Sequence, residues 1–224
     1  GVLDRSDAQD LADLWAEALT ALASHVEGPD AGGLTPSDVP LVSVGQQDIE
    51  LWERDYPTLS DIWPLSPLQS GLMFHALMTA DTIDVYTMQA VIDLTGTVDS
   101  DRLRGAADGI VTRYPNLRSA FVTDSMGESR QLVMDSVVVP WREFDLRDLD
   151  SGDRGAEMAR LFAADHDKRF DLSQSPQMRF TLIRTEDELY HLAITTHHIV
   201  LDGWSMPLLM RDLLILYATH GDTG

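Results

Sequence analysis

The segment ELYHLAITTHHIVLDGWS, residues 188–205, decides the fold. Its first nine residues, 188–196, place apolar side chains at alternate positions and are rich in β-branched residues, which predicts a strand. The apolar residues that follow Ser205 predict a helix to about Thr219, with Pro207 tolerated in its first turn. A strand that leads directly into a helix is typical of an α/β protein.

Two adjacent histidines, His197 and His198, lie where this strand ends. Neighbouring side chains of a regular strand point to opposite faces, so one histidine can face a cleft while the other packs inward, unless a bulge reverses the two. An imidazole has a pKa of about 6.5 and an α-amino group about 7.7 to 8, so a neutral histidine can accept a proton as an amine attacks a carbonyl. This chemistry suits acyl transfer to an amine, and a purely structural pair of core histidines is an equally open interpretation.

The residues after the histidines could stabilise charge. The helix that begins near Ser205 would direct its free N–H groups and its positive dipole end toward Gly203, where an oxyanion could gather. Because glycine has no Cβ, Gly203 would also let a thioester approach the backbone closely.

Other chemistries have weaker support. A zinc site built from His197, His198 and Asp202 is disfavoured because neighbouring strand histidines diverge and no HExxH helix or cysteine is present. The pentapeptide GWSMP, residues 203–207, lacks the second glycine of a GxSxG elbow, and no Walker loop or dinucleotide fingerprint occurs.

The pattern continues outward in both directions. Ser66, Pro67 and Gln69 form a capping box that predicts a helix start. The other spans follow from apolar periodicity. The predicted helices cover residues 6–26, 47–54, 66–78, 100–113, 151–169 and 205–219, and the predicted strands cover 87–94, 118–123, 130–139, 178–184 and 188–196. This order predicts an α/β sandwich with a mixed sheet.

Composition limits the function further. The chain has 224 residues, 44% of them hydrophobic, and 37 acidic against 16 basic residues give a formal net charge of −21. Such a charge opposes nucleic-acid binding. There is no cysteine, hence no disulfide framework and no thiolate nucleophile. The sequence indicates neither a secretory signal nor a bilayer span, so we expect a soluble, cytoplasmic protein without membrane partners.

Three segments together resemble the core motifs of nonribosomal peptide synthetase condensation domains. Residues 197–205, HHIVLDGWS, resemble the third motif and contain its HHxxxDG pattern. Residues 65–75, LSPLQSGLMFH, resemble the first in the form typical of domains that accept a D-configured donor, and residues 113–121, RYPNLRSAF, resemble the second. Residues 170–172, with Pro176 and Arg179, also fit the family, and the resemblance covers about residues 60–219.

The resemblance implies one lobe of a chloramphenicol-acetyltransferase-like pseudodimer, a two-layer sandwich with a mixed sheet. Peptide bonds would form between two thioesters on the 4'-phosphopantetheine arms of an upstream donor and a downstream acceptor carrier protein, with no cofactor or metal bound directly. His198 would be the catalytic histidine, as general base or by positioning the amine, with Gly203 beside it. By the same resemblance His197, Asp202 and Arg118 would be structural, the last two joined by a salt bridge, and Trp204 and Ser205 would line the substrate channel.

The resemblance also predicts a domain boundary. Residues 32–41, GGLTPSDVPL, followed by Ile49 and Glu50, resemble the tail of an upstream epimerisation-type domain, so we expect residues 1–58 to be that tail and 59–224 to be the N-terminal lobe. An upstream epimerase would supply a D-configured donor. The C-terminal lobe is not contained in these residues, so we expect the chain alone to be inactive.

Two related functions remain open. An epimerisation domain shares the HHxxxD pattern and abstracts a proton from an α-carbon, although its tryptophan usually comes later than Trp204. A catalytically silent docking domain uses the same scaffold to recruit other enzymes, and such domains tend to lose the second histidine or the glycine, both of which are present here. A generic acyltransferase that acts on a diffusible thioester is disfavoured by the synthetase-like tail.

Overall fold

The computed structural model describes residues 4–26, 32–78 and 85–219. The helices are α1 (Arg5–Val26), α2 (Gln46–Asp55), α3 (Pro67–Met78), α4 (Ser100–Arg113), α5 (Ser151–Asp167) and α6 (Ser205–Ala218), with a short 3₁₀ helix at Pro115–Arg118. The strands are β1 (Leu59–Pro64), β2 (Thr87–Thr95), β3 (Ser119–Thr123), β4 (Ser129–Met134), β5 (Trp141–Asp145), β6 (Met178–Glu186) and β7 (Leu189–His197).

The strands form two sheets. The larger has the order β2-β7-β6-β5, in which β5 runs parallel to β6 and the other pairs are antiparallel. The smaller is antiparallel, in the order β1-β4-β3. The predicted α/β class with a mixed sheet is therefore confirmed.

Helices cover both faces of the larger sheet. Alternate side chains of β6 point to opposite faces, so Phe180 joins the core formed with α4 and α6 while Ile183 packs against Leu161 of α5. The α4–α6 face contains most of the buried apolar side chains, among them Leu103, Ile110, Leu192, Ile194, Leu209 and Leu213. The end of β7 emerges from this core, which gives the residues after it a rigid base.

The strand predictions were incomplete. β1 and β5 were not predicted, because β1 is short and ends in Pro64 while three of the five residues of β5 are charged. The strand predicted over 130–139 ends instead at Met134. That residue pairs with Leu59, the first residue of β1, so the ladder has no partner for the valines that follow. Val137 and Val139 pack into the core from an irregular segment.

The N-terminal elements differ in their packing. The described side chains of α1 are exposed, including its apolar stripe of Leu11, Leu14, Trp15, Leu19 and Leu22. In contrast, α2 packs on the smaller sheet, where Ile49 and Trp52 are buried against Ile62 and Leu132. None of the helices in the described ranges combines the length and apolarity needed to cross a membrane.

Candidate active site

His197 is the last residue of β7 and is fully buried, with 0% of its surface exposed. Its ring lies between those of Tyr86 and Phe170, at centroid distances of 6.2 and 6.4 Å. Its Nδ1 accepts a hydrogen bond of 3.0 Å from the N–H of Ile199. Because a protonated Nδ1 could not accept this bond, the imidazole is neutral with its proton on Nε2. His197 thus helps to shape the turn that follows it.

His198 lies one residue beyond the strand, in the turn, and its side chain is partly exposed. Its N–H donates to the carbonyl of Tyr86 at 2.9 Å, which ties the turn to the chain just before β2. The structure therefore separates the two histidines by environment, with one imidazole inside the protein and the next at its surface. The partly exposed ring is the one that can meet a substrate.

Side-chain amides from two other elements bind the carbonyls after His198. Gln69 of α3 donates through Nε2 to the carbonyl of Ile199 at 3.1 Å. Asn116 of the 3₁₀ helix donates through Nδ2 to the carbonyl of Val200 at 2.8 Å. The segments that resemble the first and second core motifs thus meet the third at this loop.

The capping box predicted at the start of α3 is present. Ser66 Oγ accepts from the N–H of Gln69 at 3.2 Å, and Gln69 Oε1 accepts from the N–H of Ser66 at 2.9 Å. The sequence analysis missed that the other end of the same amide reaches the histidine loop. One signal was available: a glutamate could close the box equally well, whereas only glutamine also offers a donor.

Asp202 caps the helix that follows the loop. Its Oδ1 accepts from the N–H of Ser205, the first residue of α6, at 2.8 Å. Hydrogen bonds from Ser205 hold the pKa of the Asp202 carboxyl below its ordinary value, with a smaller contribution from the nearby His198. This bond uses the first N–H of α6, and Pro207 has none, so fewer donors face Gly203 than the sequence suggested.

The salt bridge expected between Arg118 and Asp202 is wrong. Arg118 Nη1 donates to the carbonyl of Thr112 at 2.6 Å and to that of Val111 at 3.4 Å, while its Nε donates to the carbonyl of Met134. The last carbonyls of α4 lack helical partners and lie at the negative end of the helix dipole, so they attract the guanidinium. Asp202 is exposed and has Ser205 as its hydrogen-bond partner.

The remaining predicted site residues surround the opening of the loop. Gly203 is exposed, and a Cβ placed on it would meet no atom within 4 Å. Trp204 is 89% exposed, and Ser205 is partly buried. Across the described ranges there is no group of three or more histidine, aspartate or glutamate side chains arranged to hold a metal ion.

A second polar cluster lies behind His197. Arg179 of β6 and Asp165 of α5 are both buried and form an ion pair of 3.1 Å, and the guanidinium carbon lies 4.0 Å from the ring centroid of Phe170. Burial lowers the pKa of Arg179, and the neighbouring Asp165 opposes that shift. Phe170 thus lies between the guanidinium and the His197 ring, which joins the cluster to the histidine loop.

The fold and the site define an α/β lobe of the chloramphenicol-acetyltransferase type, with a buried and an exposed histidine at a strand exit. The family model for the condensation domain matches residues 59–223, so the chain belongs to the condensation domain family. The chain is 33% identical over 209 residues to a linear gramicidin synthase of Brevibacillus parabrevis, covering 93% of this chain and 3% of that protein. It is 33% identical over 205 residues to bacitracin synthase 1 of Bacillus licheniformis, covering 91% of this chain and 4% of that protein.

Solved structures agree with the fold. The starter condensation domain of rhizomide synthetase matches with a TM-score of 0.65 at 19% identity, covering 71% of this chain and 38% of that one. The first condensation domain of the CDA synthetase matches with a TM-score of 0.63 at 20% identity, covering 68% and 38%. The chain therefore spans well under half the length of these domains and a few per cent of the curated relatives.

Proposed function

We propose that this chain supplies the histidine half of an active site that forms peptide bonds in nonribosomal peptide synthesis. The observation that supports this most directly is the partly exposed imidazole of His198, held at the end of β7 in a member of the condensation domain family. The remainder of the site would come from a second lobe, since the chain covers 38% of solved condensation domain chains.

The proposed reaction joins an acceptor amine to a donor thioester, each attached to the phosphopantetheine arm of a carrier protein. The amine nitrogen attacks the thioester carbonyl carbon, a C–N bond forms, the C–S bond breaks and the thiol leaves. His198 either accepts the proton that the amine loses or orients the amine by a hydrogen bond. The open space at Gly203 would let the thioester approach the backbone, beside Trp204 and Ser205 at the channel wall.

Asp202 has a structural role in this proposal. Its carboxylate caps α6 through Ser205 and so fixes the start of the helix that follows the loop. His197 fills the interior behind the loop. We further propose that residues 1–58 are the tail of an upstream epimerisation-type domain and that the donor is D-configured, on the strength of the sequence resemblance.

The test is amide formation by the longer protein that contains this segment and the second lobe. Donor carriers are loaded with D- or L-aminoacyl groups, the acceptor carrier is loaded separately, and product is measured by mass spectrometry. We expect product from the D-donor that is lost in His198→Ala, and no product from the 224-residue chain alone. His166→Ala, which changes an exposed histidine on α5, is the matched control.

Other results would favour the other functions. Exchange of the α-proton of a carrier-bound aminoacyl group with solvent, without amide formation, would identify an epimerisation domain. A folded protein that binds carriers and catalyses neither reaction would identify a docking domain. Faster condensation of L-donors than of D-donors would overturn the stereochemical part of the proposal.

A further inference from the structure

The backbone around His198 is held by hydrogen bonds on both sides of the histidine. Upstream, the N–H groups of His197 and His198 donate to the carbonyls of Gln177 and Tyr86 at 3.1 and 2.9 Å. Within the turn, the N–H of Val200 donates to the carbonyl of His197 at 3.2 Å. Downstream, the carbonyls of residues 199 and 200 accept from side-chain amides. Those side chains therefore help to decide where the second half of the loop lies.

Gln69 makes hydrogen bonds with both ends of its amide. Its oxygen accepts from the N–H of Ser66, and its nitrogen donates to the carbonyl of Ile199 and to Oε1 of Gln131, both at 3.1 Å. These partners fix the orientation of the amide, because a backbone N–H can only donate and a carbonyl can only accept. A glutamate at this position could keep the first bond and would lose both of the others.

Gln131 gives Gln69 a rigid support. It lies on β4, is 3% exposed, and donates through Nε2 to Ser119 Oγ at 2.9 Å. Ser119 in turn donates to the carbonyl of Pro115 at 3.1 Å, next to Asn116. The two amides that hold the loop are thus connected through buried hydrogen bonds across β3 and β4, and such a network keeps its geometry only while every member is present.

We infer that Gln69, supported by Gln131, and Asn116 are positioning residues for His198. The inference rests on the proposed function. None of these side chains needs to touch the substrate, because each acts by holding a carbonyl within two residues of the histidine. Since a displacement of about 1 Å at a reacting group can cost about 100-fold in rate, the loss of either contact should lower kcat.

The experiment compares matched variants of the two-lobe protein in the amide-forming assay with loaded carriers. Gln69→Glu keeps the acceptor for Ser66 and removes the donor to the loop. Ser66→Ala removes the other half of the capping box and leaves the loop contacts in place. We expect kcat to fall at least about tenfold in Gln69→Glu with the KM for either carrier unchanged. Ser66→Ala should keep kcat within about twofold although it lowers the thermal midpoint.

The pH dependence separates positioning from a general loss of packing. A protonated glutamate regains an O–H donor, so the activity of Gln69→Glu relative to wild type should rise as the pH falls toward the ordinary range of a glutamate, about 4.3. The ratio for Gln69→Leu, which cannot regain a donor, should stay constant. Asn116→Asp tests the second amide and decides the question if the Gln69 variants do not fold.

A folded Gln69→Glu or Asn116→Asp protein with kcat within twofold of wild type would overturn the inference, as would an equal loss of kcat in Ser66→Ala. These outcomes differ from failure of the proposed function. A wild-type protein that makes no amide, or one whose activity survives His198→Ala, would refute the function and with it the positioning role.

Discussion

At the scale of single residues, Tyr114 joins the segment before β3 to the last helix. Its hydroxyl donates to the buried carboxylate of Asp212, which also accepts from Arg211 at 2.9 Å. The hydrogen bond from Tyr114 is the main cause that holds the pKa of Asp212 below its ordinary value, and the same bond raises the pKa of Tyr114. The tyrosine therefore stabilises the ionised carboxylate of a residue on α6.

Replacing Tyr114 by phenylalanine should lower the free energy of unfolding at pH 7 by about 1–3 kcal/mol, because it deprives a buried carboxylate of a donor. An aspartate whose folded pKa is depressed adds stability above its unfolded pKa, about 3.9, and this stability is lost as the pH falls through the folded value. The difference between the two proteins should accordingly shrink below about pH 4 in urea denaturation followed by circular dichroism.

Tyr217→Phe is the matched control. Its hydroxyl accepts from the exposed N–H of Asp99 at 3.1 Å, and a phenyl ring can keep the contact with the Arg102 guanidinium. Its removal should change stability by no more than about 0.5 kcal/mol at any pH. An equal loss in both variants, or a Tyr114→Phe effect that does not vary with pH, would refute the assignment.

At the scale of elements, Asp165 and Arg179 join α5 to the larger sheet. Asp165 also accepts from Gln89 on β2 at 3.3 Å and from Thr195 on β7. Arg179 donates to the carbonyl of Lys168 at 2.7 Å, at the end of α5. One helix and three strands thus meet at a buried charged group, so removing one charge leaves the other without compensation.

Arg179→Leu should cost about 3–5 kcal/mol of stability, because the buried carboxylate of Asp165 loses its counter-charge. The double variant Arg179→Leu with Asp165→Leu should be more stable than the single one, since neither charge then remains buried. Arg160→Leu, which breaks an exposed pair with Glu157, should cost no more than about 1 kcal/mol. Additive losses in the double variant, measured by urea denaturation, would argue against coupling between the two residues.

Local patterns in the sequence predicted most of the elements. The apolar periodicity of α4 and α6 and the alternation in β6 and β7 specified these spans to within a few residues. β5 was missed because its stability comes from pairing with β6, and this pairing leaves no local pattern in five residues rich in charge. The excess length predicted for β4 has the same origin, because strand length depends on a partner that lies elsewhere in the chain.

The site could be predicted only in part for a related reason. The position of the histidines at a strand exit followed from the sequence, because strand and helix signals flank them directly. The contact from Asn116 to Val200 spans 84 positions, and that from Gln69 to Ile199 spans 130, so no local signal points to either. The pairing expected for Arg118 was wrong because helix carbonyls close to it in sequence accept its hydrogen bonds.

At the scale of the whole molecule, the residues before β1 are attached to the smaller sheet. Val39, Ile49 and Trp52 are buried in a cluster with residues of β1, β3 and β4. Tyr56, at the end of α2, donates through its hydroxyl to the carbonyl of Ser173 at 2.9 Å. The neighbouring Leu172 carbonyl accepts from Phe121 of β3 at 2.8 Å. The segment that precedes β6 is thus held by α2 and the smaller sheet together.

These contacts bear on the boundary expected after residue 58. If residues 32–58 were only a linker, their loss of packing would leave the unfolding of the sheets unchanged. Trp52 is 4% exposed within the cluster, and Val137 packs against both this cluster and the larger core. A cavity at Trp52 should therefore destabilise the lobe as a whole, because the two clusters share a neighbour.

Trp52→Ala should lower the free energy of unfolding by about 3–5 kcal/mol, the usual range for a buried aromatic side chain replaced by alanine. Far-UV circular dichroism during urea denaturation should show one transition shifted to a lower midpoint, since the segment and the sheets unfold together. Leu51→Ala, which changes the neighbouring side chain with 43% of its surface exposed, should cost less than about 1 kcal/mol. An unchanged midpoint, with rapid proteolysis confined to residues 32–58, would instead place the edge of the folding unit at β1, because only a segment that unfolds separately can be cleaved while both sheets stay intact.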